Sequence, residues 1–153
     1  MKAITICQPY AHLICLPETH IDHKRVENRT WPTSHRGNIL IHAGKSKEWL
    51  TLDDEGKFDE EYNIHLDDMP FGAFVATAIL CDCLRIEEIE RGLHDKQYPW
   101  LRTHKHASGP WCWVLVDVGP LPKPVPWRGA QGLWDADYHE IRRLSQSPGG
   151  KQP

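Results

Sequence analysis

Lys24, Glu27 and Arg29 fall within six positions of one another in the run Lys-Arg-Val-Glu-Asn-Arg, with Trp31 two residues further on. Charges at this density, once buried or half-buried, must be paired to be tolerated. The trio is therefore either a structural ion-pair network or the floor of a site for an anionic, aromatic ligand, and spacing alone leaves both open. In a site, arginine would offer a planar fork to phosphate and lysine a movable point charge. Glutamate would accept a proton or orient an attacking group, so Lys24 and Glu27 are the pair to which catalysis would fall in an enzyme. Trp31 adds a stacking face. Gln8 and Gln131 carry amides, donor and acceptor together, that can read a base edge or simply close a turn. His42, followed by Ala-Gly-Lys, sits where a barrel rim would expose it with Lys45, to bind phosphate or donate a proton, or else to satisfy a carbonyl. Arg128 opens a second basic, amide-bearing turn that ends at Gln131.

Other chemistries are poorly served. Cys81 and Cys83 are separated by one residue rather than the two of a zinc knuckle, and no His-Glu-x-x-His occurs. His104 and His106 near Cys112 are a weak metal suggestion only, so neither a metal nor a cofactor is expected. Five cysteines are an odd set in apolar runs, which reads as reduced core thiols. Gly44-Lys45-Ser46 lacks the glycine-rich cradle of a nucleotide loop, against an ATPase. The other tryptophans, with Trp111, Trp113, Trp127 and Trp134 clustered late, are core candidates that become base platforms if exposed beside an arginine.

The net charge of −3 over 153 residues argues against a protein that coats duplex DNA. Charge is nevertheless segregated. Residues 20 to 47 hold six Lys or Arg against Asp22 and Glu27, a balance of +4, and residues 48 to 70 hold nine Asp or Glu against Lys57, a balance of −8. A basic face could bind phosphate locally without general adhesion, or the pattern serves solubility. No apolar run of 18 residues or signal-peptide pattern is present, which leads to the expectation of a cytoplasmic protein that does not span a membrane.

The elements that must position these residues follow from periodicity. Ala3 to Cys7 reads as a strand, Tyr10 to Leu16 as a short helix stopped by Pro17, and residues 24 to 31 as a second strand. Strict alternation sets Lys24 opposite Glu27, so a shared site needs a bulge, turn or strand end to re-aim one of them. Asn38 to Ala43 is a third strand, and Ser46 can cap a brief helix near Lys47. Asp53 to Asp68 reads as a surface loop. Phe71 to Leu84, apolar on both alternating faces, is a central strand. Ile86 to Leu93 suggests an amphipathic helix, Trp111 to Val118 a strand, and the prolines at 120, 122, 124 and 126 an extended rim that pairs poorly. Trp134 to Leu144 suggests a terminal helix, giving a domain over 1–144 and a polar tail over 145–153. The expectation is a mixed α/β, mainly β, small pseudo-barrel of five to six strands with short flanking helices.

Gln8-Pro9-Tyr10-Ala11, the run His23 to Trp31, His35-Arg36-Gly37 and Ile39 to Ala43 together resemble the ASCH domain family, whose signature of lysine, glutamate three residues later and arginine two beyond matches Lys24, Glu27 and Arg29. The resemblance is closest to the domain of activating signal cointegrator proteins and covers about residues 1 to 140. It implies a PUA-like fold and binding of single-stranded RNA or a modified nucleotide in a cleft lined by Lys24 and Glu27, with Arg29 on phosphate or bracing the wall and Trp31 supporting the fold. Asp22 stands where the family usually has glycine. Some small relatives remove acetyl groups from modified cytidine, but Glu27 occupies the place of their hydroxyl residue. A metal-independent hydrolase acting on RNA or an N-acylated base is the alternative, and a protein-interaction module using the Pro120 to Trp134 rim is a third.

Overall fold

The computed structural model describes residues 1–50, 57–58, 62 and 64–148. It is a mixed α/β domain, mainly β, in which one curled six-stranded sheet forms a half-barrel flanked by three short helices. In chain order the elements are β1 (Lys2–Ile6), α1 (Tyr10–Cys15), β2 (Val26–Arg29), β3 (Gly37–Ala43), β4 (Lys57–Phe58), β5 (Ile64–His65), β6 (Ala73–Arg85), α2 (Ile86–Glu90), β7 (Trp111–Pro126), β8 (Leu133–Asp135) and α3 (Tyr138–Gln146). The main sheet runs β2-β7-β6-β3-β1-β8, while β4 and β5 pair only with each other. β1 and β3 are parallel, and every other neighbouring pair is antiparallel.

Long β6 is the spine, paired with β7 on one side and β3 on the other. Phe74, Ala76, Ala78 and Leu80 are within 1 % of full burial, and Ile39, Leu40 and Ile41 of neighbouring β3 are fully covered on both sides of the strand. Trp113 of β7 is also fully buried, its ring edge-on to Trp31 at 4.7 Å between centroids. Ile39, Ile41, Ala76, Ala78, Leu80 and Trp113 join Ile4, Ile6 and, from α1, Ala11 and Ile14 in the main core, while Leu40 and Phe74 belong to a second cluster with Ala3, Val125 and Ile141 of α3.

Several elements differ from the sequence expectation. β7 does not end at Val118 but continues to Pro126, in register with Ala73 of β6; the register jumps from Ala76–Pro120 to Phe74–Val125, so residues 121–124 have no partner on β6 and the proline series pairs poorly, as expected. Trp134 lies in β8 rather than in a helix, and α3 starts only at Tyr138, where the Asp137 carboxylate accepts from Glu140 N. That helix runs through Gln146 with Ser145 buried, two residues past its expected end at Leu144. No helix forms at Lys47; Ser46 Oγ accepts from Glu48 N in a turn. Within the acidic stretch, residues 53–56, 59–61 and 63 lie outside the described residues, as do 149–153 of the tail. No helix among the described residues is long and apolar enough to cross a membrane.

Candidate functional site

β2 is shorter than its sequence run, and this resolves the parity conflict. Val26 begins the strand, so Lys24 sits outside it, in the segment arriving from α1. Its N–H donates to the Leu13 carbonyl of that helix at 3.0 Å, which aims the side chain back over the strand. Glu27 and Arg29, two apart on β2, share a face.

The three charges meet around one carboxylate. Lys24 Nζ donates to Glu27 Oε2 at 2.7 Å, and Arg29 Nε stands 3.1 Å from Glu27 Oε1. That Arg29 N–H is not aimed for a hydrogen bond; the guanidinium is instead fixed through its Nη2, which donates to the Thr5 carbonyl of β1 at 2.8 Å. Lys24 and Glu27 are nearly sealed, with side chains 4 % and 10 % exposed, whereas Arg29 retains 23 %. The Lys24 ammonium also lies 5.5 Å from the centre of the Tyr10 ring.

This cluster forms the floor of a cleft of about 570 Å³, open to solvent, with Cys7 and Tyr10 on one flank and Trp49 and Tyr62 on another. Burial raises the pKa of the Cys7 thiol against the opposing pull of Arg29, which leaves it a poor nucleophile. Trp49 is 56 % exposed and is the accessible indole of the cleft, while Trp31, the ring suggested by sequence, packs against Trp113 and accepts its indole N–H through its carbonyl.

The remaining wall comes from Lys105, His106 and Ser108, in the segment between α2 and β7, for which the sequence gives no motif. Asn28 fastens it. Its Nδ2 donates to the His106 carbonyl at 2.7 Å, and its Oδ1 accepts from Ser108 N at 3.0 Å and Gly109 N at 2.9 Å. His104 Nε2 accepts from Arg25 N at 3.1 Å, so the ring is neutral, and burial with neighbouring His106, Arg25, Lys24 and His23 pushes its pKa down to about 4. His106 Nε2 donates to the Asp22 carbonyl at 3.2 Å, and burial lowers its pKa too. The two rings are thus spent on separate backbone groups rather than aimed at an ion with Cys112, and among the described residues no three His, Cys, Asp or Glu side chains converge as metal ligands.

The other residues singled out by sequence lie elsewhere. Gln8 is fully buried: its Nε2 donates to the Pro70 carbonyl and its Oε1 accepts from His12 N, so it ties α1 to a loop. His42 is 1 % exposed, donates from Nε2 to the Trp127 carbonyl at 2.9 Å and faces Thr5 Oγ1 through Nδ1. Burial lowers its pKa, and a side chain on Gly129 would strike its ring, so it is a packing element beneath the rim. Lys45 is exposed but lies along Gly72. Arg128 and Gln131 are exposed on the segment joining β7 to β8, away from the cleft lining. Trp127 and Trp134 are half-buried and pack around Phe74 with residues of α3.

No family model and no curated protein matches the chain.

Proposed function

We propose that the cleft over Lys24, Glu27 and Arg29 binds a single-stranded RNA or a modified nucleotide, the reading that the resemblance to ASCH domains also implies. The convergence of the three side chains on an open hollow carries it. The volume lies within the roughly 300–1,000 Å³ range of small-ligand sites. Two cations around one carboxylate leave a single net positive charge on the floor, suited to one phosphate rather than to a duplex backbone. Trp49 offers a base a stacking face worth about 1–3 kcal/mol. Short single-stranded RNA should bind more weakly as salt rises, and Arg29→Ala should reduce both affinity and salt slope while the fold, checked by thermal melting, persists. Unchanged affinity in Arg29→Ala would remove the cleft from consideration.

The second reading, a metal-independent hydrolase acting on RNA or an N-acylated base, draws on the 2.7 Å Lys24–Glu27 contact at the cleft floor. Incubation with RNA and with N4-acetylcytidine in chelator, followed by mass analysis, separates it from pure binding. Products lost in Lys24→Met would favour it.

A further inference from the structure

We propose that Lys105 is a second, movable cation that the cleft presents to an anionic ligand beside Arg29, and that Asp22 holds it in reserve as an internal competitor; this rests on the binding function proposed above. The cations of the floor are held in place. Lys24 is sealed on Glu27, and Arg29 is tied to Glu27 and to the Thr5 carbonyl. Lys105 also lines the cleft, its side chain is 40 % exposed, and its ammonium lies 4.9 Å from the centre of the Tyr62 ring. It is the most exposed of the three cations in the lining. At rest it is bonded to the Asp22 carboxylate.

The two partners differ in freedom. Asp22 is fixed by its backbone, since its N–H donates to His20 Nδ1 at 3.0 Å and its carbonyl accepts from His106, and its side chain is only 13 % exposed. Lys105 has a flexible four-carbon stem and can turn from one anion to another. A phosphate entering the cleft therefore competes with Asp22 for the same ammonium, and binding must leave that carboxylate with a lost partner. The pair sets an affinity threshold, weakening capture of singly charged ligands more than of ligands with several phosphates.

The test is a double-mutant cycle read by fluorescence anisotropy of a short labelled oligouridylate across a salt series, with melting curves to verify each fold. Asp22→Asn should tighten binding by roughly 2- to 5-fold, as expected for releasing a partly exposed ion pair. Lys105→Ala should weaken it and lower the salt slope by about 0.7, one phosphate contact to a single strand. In the Lys105→Ala background, Asp22→Asn should bring no gain. A structural role alone predicts losses in both single variants, so a gain in Asp22→Asn distinguishes competition from support. Wild-type binding that Lys105→Ala leaves intact, or an Asp22→Asn gain that survives in the double variant, overturns the competition and spares the cleft. Failure of all four proteins to bind overturns both.

Discussion

At the scale of single residues, the arrangement around Glu27 is asymmetric, and the asymmetry is measurable. One carboxylate serves two cations, so its removal orphans the nearly sealed Lys24 and deprives Arg29, whereas removal of Lys24 leaves Glu27 still beside Arg29. Glu27→Ala should cost about 3–5 kcal/mol in urea denaturation, as for breaking a buried pair, and Lys24→Met roughly half of that. Equal losses would mean that the Arg29 contact contributes nothing. The cluster was legible in the sequence because three charges so close have few tolerable arrangements. For Gln8 and His42 the sequence left two roles open for the complementary reason: an amide and an imidazole at strand ends look like rim groups until the chain supplies the Pro70 and Trp127 carbonyls, 62 and 85 residues away, that engage them. Asp22 stands in the sequence only as a departure from the pattern it resembles, and its ion-pair partner Lys105 lies 83 residues on.

At the scale of elements, the cleft wall depends on one side chain of β2. Asn28 satisfies a carbonyl and two amides of the 106–109 segment at once, and no backbone pairing from a neighbouring strand replaces them. Asn28→Ala should destabilise the domain by about 2–3 kcal/mol and selectively raise hydrogen exchange at the Ser108 and Gly109 amides. Retained protection at both would show that the wall stands without it. The turn is tight on its far side as well: Gly109 has φ +71°, and a Cβ there would come within 2.6 Å of the Ile86 side chain, so Gly109→Ala should displace the same wall and weaken RNA binding. Strands β3 and β6 were readable from their apolar alternation, and α1 from its proline stop. The register of β7 beyond Val118 was not, since proline argues against pairing in general. The segment from 91 to 110 has turns but no period, so the wall it builds was invisible until folded against β2.

At the scale of the whole molecule, half-barrel closure traps histidines in places where charge is unwelcome. His12, His23, His42, His104 and His106 all have pKa values lowered first by burial, and His104 and His106 lie within 5.4 Å of each other between ring centres, beside Arg25 and Lys24. A histidine whose folded pKa is depressed stays neutral in the native state while its unfolded counterpart takes up a proton. Stability from these groups is therefore complete above the unfolded value of about 6.5 and is lost as pH falls toward the folded value, about 4 for His104. The chain should accordingly lose denaturation free energy steadily between about pH 6.5 and 4, with protons taken up on unfolding. His104→Gln, whose amide oxygen can still accept the Arg25 N–H, should flatten part of that slope while leaving stability at pH 7.5 nearly unchanged. An identical pH profile in His104→Gln and wild type would show that this ring is not among the groups that titrate on unfolding. A flat profile in the wild type would go further, because it would mean that none of the five rings stays neutral in the fold while its unfolded counterpart takes up a proton.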